Sequence, residues 1–138
     1  MQRFRVYDKK NEEWVKNLQD FYLAYNNDLY ISNKRPLGTE KLSLVSTEKY
    51  VYQVDIGLSD ANGNLIFEGD ICKIKHLEDV IGVITYVNEH ASYYLLDYKN
   101  SKYYPLTEEH CRQIEIIGNI FENKDLISSE DNVKEGGQ

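Results

Sequence analysis

The sequence has little proline, little cysteine and no long apolar run. Its 138 residues include two prolines and two cysteines, too few cysteines for a disulfide framework. The apolar runs are far shorter than the roughly 20 residues that a membrane-spanning helix needs, and the charged N-terminus is followed by no apolar block like that of a secretion signal. We therefore expect a cytoplasmic protein with reduced cysteines and no membrane association.

Negative charge is concentrated in the C-terminal part of the chain. The formal charge is −7, with +1 over residues 1–56 and −8 over residues 57–138. Nucleic-acid affinity comes mainly from neutralised phosphates, so this acidity disfavours a nucleic-acid partner without excluding it. The charge favours solubility and identifies no partner.

Many short stretches rich in Val, Ile and Tyr lie between clusters of Asn, Asp and Gly, which favours strands over long helices. Twelve tyrosines strengthen this preference. The spacing predicts short antiparallel strands over residues 4–7, 29–31, 42–45, 50–56, 71–75, 80–87, 93–98, 102–105 and 114–117. Thr107 is predicted to cap a brief helix, and Asn123 a last helical turn.

Residues 12–25 fit two interpretations. Trp14 and Val15 can return as the second strand of a hairpin, after a turn over residues 8–11. Alternatively, Trp14, Leu18 and Phe21 have the spacing of one helix face. The pattern leaves this choice open.

The predicted fold class is mainly β with short helices, a β-rich α+β protein of short antiparallel strands. Dense short strands usually curl, so we expect a small SH3-like barrel or a compact sandwich in the C-terminal two-thirds. We predict a single domain over residues 1–127, with an N-terminal subdomain over 1–40 and a barrel-like part over 42–122. Residues 128–138 should form a disordered acidic tail, since Val133 is their one apolar residue.

The most distinctive segment runs from residue 57 to residue 71 and reads GLSDANGNLIFEGDI. Its glycines can adopt positive φ, and its aspartate and asparagine side chains can bond to their own backbone. We predict a turn role for Gly57, Asp60, Asn62, Gly63, Glu68, Gly69 and Asp70. An EF-hand calcium loop does not fit, because its glycine stands at the sixth loop position and Gly63 follows Asp60 by three residues.

This segment resembles the YopX family of phage and prophage proteins, which carries the pattern G-L-x-D-x-N-G-x-x-I-[YF]-E-G-D-I. Residues 4–11 and 114–123 are similar to the opening and closing segments of the same family. Residues 16–49 diverge from the family's pattern. The resemblance implies no established activity and no catalytic residues.

Other candidate sites are weak. Cys72 and His76 have a metal-ligand spacing, but one pair does not make a metal site. His110 and Cys111 are adjacent in sequence, so on a helix or a strand their side chains point apart, which argues against a catalytic dyad. We expect no catalysis, no cofactor and no metal.

Paired tyrosines give the remaining candidate surface, made of Tyr93, Tyr94, Tyr98, Tyr103 and Tyr104. Tyrosine suits half-buried sheets and protein interfaces, since its ring packs while its hydroxyl stays wet. It also stacks on single-stranded nucleic acid. We expect a phage or prophage accessory protein that acts through contacts with itself or with an unknown phage or host protein, with a nucleic-acid-binding module as the alternative.

Overall fold

The computed structural model describes residues 3–34 and 40–127. The fold is mostly β, with antiparallel sheets, one curled half-barrel and a few short helices, so the predicted β-rich class is confirmed. The strands are β1 (Phe4–Asp8), β2 (Glu13–Trp14), β3 (Phe21–Leu23), β4 (Leu29–Lys34), β5 (Glu40–Leu44), β6 (Tyr50–Ser59), β7 (Leu65–Phe67), β8 (Asp70–Ile74), β9 (Leu77–Val87), β10 (Ser92–Asp97), β11 (Lys102–Pro105) and β12 (Ile114–Asn119). The helices are α1 (Glu108–Cys111) and two 3-10 turns, Asn88–His90 and Lys124–Leu126.

The chain forms two compact units, and the N-terminal one comprises residues 4–53. In this unit β3, β4 and β5 make an antiparallel sheet in chain order. Its core contains Val6, Phe21 and Leu29. The ring of Phe21 meets that of Tyr50 edge-to-face at a centroid distance of 5.2 Å.

Residues 12–25 form strands and turns, which resolves the choice that the pattern left open. β2 pairs antiparallel with β1, with Tyr7 opposite Trp14. The two rings pack edge-to-face at 5.0 Å, and the guanidinium carbon of Arg5 lies 4.2 Å from the Trp14 ring centroid. The hairpin is favoured over a helix because Trp14 packs on a neighbouring strand.

The second unit comprises residue 3 and residues 54–127 of the described chain. Its main sheet has the strand order β11-β10-β9-β8-β12, so β8 to β11 form a meander and β12 returns to pair with β8. Its core contains six fully or almost fully buried residues, Ile66, Cys72, Ile84, Leu95, Cys111 and Ile114. As predicted, Thr107 caps α1: its hydroxyl oxygen accepts a hydrogen bond from the His110 backbone N–H.

The predicted boundaries of the domain and its subdomains stay predictions. The predicted acidic tail, residues 128–138, lies outside the described residues. Within the described chain, no helix is long and apolar enough to cross a membrane.

Candidate interaction surface

The distinctive segment is a series of turns. Gly57, Gly63 and Gly69 have φ values of +85°, +83° and +95°, a region that glycine enters without the steric cost of a Cβ. Asp60 N–H donates to the carbonyl oxygen of Asn64, and Gly63 N–H donates to that of Asp60. Each glycine therefore occupies a position that an L side chain would strain.

The Asp60 carboxylate holds this turn and joins it to β12. Oδ1 accepts the backbone N–H groups of Asn62 and Asn64, both at 2.9 Å, and Oδ2 accepts that of Ile116 at 3.1 Å. The Asp60 residue is only 5% exposed. Asn62 adds a second link, since its Nδ2 donates to Glu115 Oε2 at 3.2 Å.

Hydrogen bonds to backbone groups also fix the Glu68-Gly69-Asp70 turn. Asp70 is buried, and its Oδ2 accepts the Phe67 N–H at 2.8 Å. Gly69 N–H donates to Ile84 O at 2.8 Å, and Gly69 O accepts Ile120 N–H at 3.0 Å. Asp70 is therefore an acceptor inside a turn.

Buried aspartates share this role throughout the described part of the chain. Five aspartates are buried there, and each accepts a backbone N–H from a residue two to four positions away: Asp8, Asp55, Asp60, Asp70 and Asp97. Such bonds satisfy buried carboxylate oxygens with partners from the protein itself. Asp8 opens the predicted turn over residues 8–11, whereas sequence reasoning missed Asp55 and Asp97 as backbone acceptors, although each precedes a glycine or asparagine by two or three residues.

The two cysteines lie in the core of the second unit. Cys72 and Cys111 are free and buried; burial raises the pKa of the Cys72 thiol far above its usual range and that of Cys111 to about 11. Both are thus protonated thiols at neutral pH, which are poor nucleophiles. Among the described residues, no group of three His, Cys, Asp or Glu side chains could hold a metal ion.

The five predicted surface tyrosines divide between two sides of the sheet. Tyr93 and Tyr104 pack against the core of the second unit, and burial raises the pKa of the Tyr93 hydroxyl. Tyr98 and Tyr103 are 59% and 58% exposed. Tyr94 is half-buried, and successive residues of a strand point to opposite faces, so it lies on the side away from Tyr93.

Tyr94, Tyr103 and His90 contact one another and form what we call the tyrosine patch. The rings of Tyr94 and Tyr103 meet edge-to-face at 5.2 Å. His90 Nδ1 and the Tyr94 hydroxyl oxygen share a hydrogen bond at 2.8 Å, and the His90 ring lies 6.2 Å from that of Tyr103. Tyr98 lies in the exposed turn of the same β10–β11 hairpin.

His90 was not among the residues predicted for this surface. The signal that could have found it is its position, four residues before Tyr94 and directly before the strand that carries the tyrosines. Together these groups present rigid, partly polar rings to solvent. Such rings lose little side-chain entropy on binding.

Comparison with known proteins identifies the family. The family model described as YopX protein matches residues 3–128, and the chain belongs to the YopX family. No curated protein shows significant sequence similarity to it.

Solved structures similar to the chain include two bacterial proteins. The protein yopX from Bacillus subtilis has 15% sequence identity and a TM-score of 0.53, over 91% of this chain and 97% of that one. Protein EF1440 from Enterococcus faecalis has 21% identity and a TM-score of 0.49, over 93% and 99% of the two chains. The similarity to yopX shows a shared fold and nothing about activity.

Proposed function

We propose that this YopX-family chain is a phage or prophage accessory protein that acts by protein contacts without catalysis. The observation that carries the proposal is the tyrosine patch, in which the exposed Tyr103 ring packs on the half-buried Tyr94, which is itself bonded to His90. Aromatic residues are enriched at the centres of protein interfaces, where a few of them supply most of the binding energy.

The chemistry of the buried polar groups supports the non-catalytic part of this proposal. An acid–base catalyst needs a carboxylate that is not already saturated by structural bonds, whereas each buried aspartate accepts a nearby backbone N–H. A nucleophile needs an accessible thiolate, whereas Cys72 and Cys111 are buried and protonated at neutral pH.

The partner that we propose first is a second copy of the chain. Light scattering coupled to size exclusion should give the mass of a dimer or larger assembly at protein concentrations of up to roughly 1 mM. Tyr103→Ser removes the exposed tyrosine ring of the patch and should raise the dissociation constant at least about fivefold, since a truncated interface aromatic costs about 1 kcal/mol or more. Tyr25→Ser is the matched control, because Tyr25 is fully exposed in the other unit.

Two outcomes contradict this proposal. If the protein is strictly monomeric at the highest concentration, the homo-oligomer is ruled out. If Tyr103→Ser and Tyr25→Ser change the dissociation constant equally, the tyrosine patch is not the contact surface, whatever the mass of the assembly. Capture of a phage or host protein that Tyr103→Ser abolishes would replace the second copy by that partner.

A second candidate function is binding to single-stranded nucleic acid. The observation that favours it is the β10–β11 hairpin turn, where Tyr98 and Tyr103 are exposed beside the exposed Lys99 and Lys102. Rings next to cations are what a single-strand platform requires. Fluorescence anisotropy of labelled DNA and RNA oligonucleotides at about 50 mM salt tests it, with binding expected to weaken steeply as salt rises. The absence of a signal with micromolar protein would exclude it.

A further inference from the structure

The second unit contains an apolar pocket of about 180 Å³ beside α1. Its lining includes Leu95 and Ile114, which are 0% and 3% exposed, together with the partly buried Tyr104 and Leu106. Two more lining residues, His110 and Gln113, are exposed. The pocket thus has a buried apolar floor and a solvent-accessible rim.

The volume of this pocket suits a single aromatic ring. An apolar cavity of roughly 150 Å³ stays dry and binds benzene, while pockets for drug-sized ligands start at about 300 Å³. A whole nucleotide or cofactor therefore does not fit inside it. Water is a poor occupant because it needs two to four polar partners, and the floor offers apolar side chains.

His110 places a hydrogen-bonding group at the rim, which the ligand should match. Its Nδ1 lies 2.8 Å from the carbonyl oxygen of Pro105. A carbonyl only accepts, so Nδ1 carries a proton and donates it. In the neutral ring Nε2 is then an acceptor, and the best-matched ligand carries a hydrogen-bond donor.

We propose that this pocket binds one tyrosine side chain of a protein partner, with the ring against the partly buried Tyr104 and Leu106 and the phenol hydroxyl donating to His110 Nε2. The rim is exposed at His110 and Gln113, so a ring attached to a polypeptide can enter. A single aromatic anchor in a desolvated pocket is a common centre of binding energy at protein interfaces. The assignment of the ring to a protein partner rests on the proposed protein-binding function, whereas the assignment of the pocket to an aromatic ring does not.

Phenol, benzene and the capped tripeptide acetyl-Gly-Tyr-Gly-amide are the probes. Amide and methyl NMR spectra of the full chain should show saturable shifts at Leu95, Leu106 and Ile114 with phenol and with the tripeptide. Benzene should bind roughly two- to tenfold more weakly than phenol, because it lacks the hydroxyl. His110→Ala should bring the two affinities to within about twofold of each other.

Two variants close the pocket from different sides. Leu106→Phe fills it and Gln113→Trp covers its rim, and each should weaken phenol binding at least tenfold. Gln113→Trp keeps the test usable if Leu106→Phe does not fold, since residue 113 is exposed. Leu44→Phe is the matched control, because Leu44 is 64% exposed in the other unit, and it should leave phenol binding unchanged.

Three results would overturn the proposal. The first is the absence of saturable phenol shifts at the pocket, and the second is phenol binding that survives Gln113→Trp. The third is phenol binding without tripeptide binding, which would assign the pocket to a free small molecule. If the tripeptide binds while the chain stays monomeric and captures no partner, the proposed function fails and the pocket assignment stands.

Discussion

Replacing Asp60 by alanine tests whether the distinctive segment is a folding element. The side chain accepts three backbone N–H groups, two inside its turn and one on β12. Each donor left without a partner in a buried site costs about 1–3 kcal/mol. Water can reach part of the turn, so we expect Asp60→Ala to lower the free energy of unfolding by about 3–5 kcal/mol, less than the sum of three lost bonds.

Asp60→Asn sharpens the same test. The amide oxygen can still accept from Asn62 and Asn64, but the amide nitrogen would face the Ile116 N–H, donor against donor. We expect a loss of about 1.5–3 kcal/mol, smaller than that of Asp60→Ala. Urea unfolding followed by far-UV circular dichroism measures both variants.

Asp28→Ala is the control for these variants, because Asp28 also lies in a turn but is exposed; it should cost less than about 0.5 kcal/mol. A loss below about 1 kcal/mol for Asp60→Ala would refute the turn role. So would a calcium- or zinc-dependent rise in melting temperature that Asp60→Asn abolishes, since that would make the carboxylate a metal ligand.

Three further variants test the same picture. Gly63→Val should lower the free energy of unfolding by about 1–3 kcal/mol through its φ of +83° alone, since a Cβ there meets nothing within 4 Å. Gly63→Asn should cost less, because asparagine tolerates positive φ better than valine. Equal losses for the two variants in urea unfolding would contradict backbone strain as the cause. Gly82→Ala should cost about 1–3 kcal/mol or more, because its Cβ would lie 2.5 Å from the Leu96 backbone oxygen; an unchanged melting temperature would contradict it. The Asn11 backbone N–H holds the pKa of Asp8 below its usual range, so its stabilisation is full above about pH 4 and is lost as the pH falls through the folded-state pKa. Asp8→Asn should therefore flatten the decline of melting temperature below about pH 4, and parallel curves would contradict this assignment.

Local signals made the fold class predictable. Strands of four to eight residues separated by Asn, Asp and Gly turns leave an antiparallel meander as the simplest arrangement, and β8 to β11 form one. The N-cap at Thr107 was predictable for the same reason, since a hydroxyl before two acidic residues matches the needs of a first helical turn. Each of these features depends on residues close in sequence.

Features that depend on distant residues were not predictable. The helical spacing of Trp14, Leu18 and Phe21 is real, but these residues pack as parts of short strands and turns. The bond from Ile116 N–H to the Asp60 carboxylate joins residues 56 positions apart, and no local pattern encodes such a pair. The pocket likewise combines residues from five elements, β8, β10, β11, α1 and β12, so its existence follows from their assembly.

The paired tyrosines show how one strand can serve two surfaces. Tyr103 and Tyr104 are neighbours on β11, and alternation along a strand sends their side chains to opposite faces. Tyr103 belongs to the exposed patch, whereas Tyr104 lines the apolar pocket. A variant at residue 103 should therefore alter assembly without changing phenol affinity, and Gln113→Trp should change phenol affinity without removing the patch. Because the two proposed contacts separate in this way, either of them can fail while the other stands.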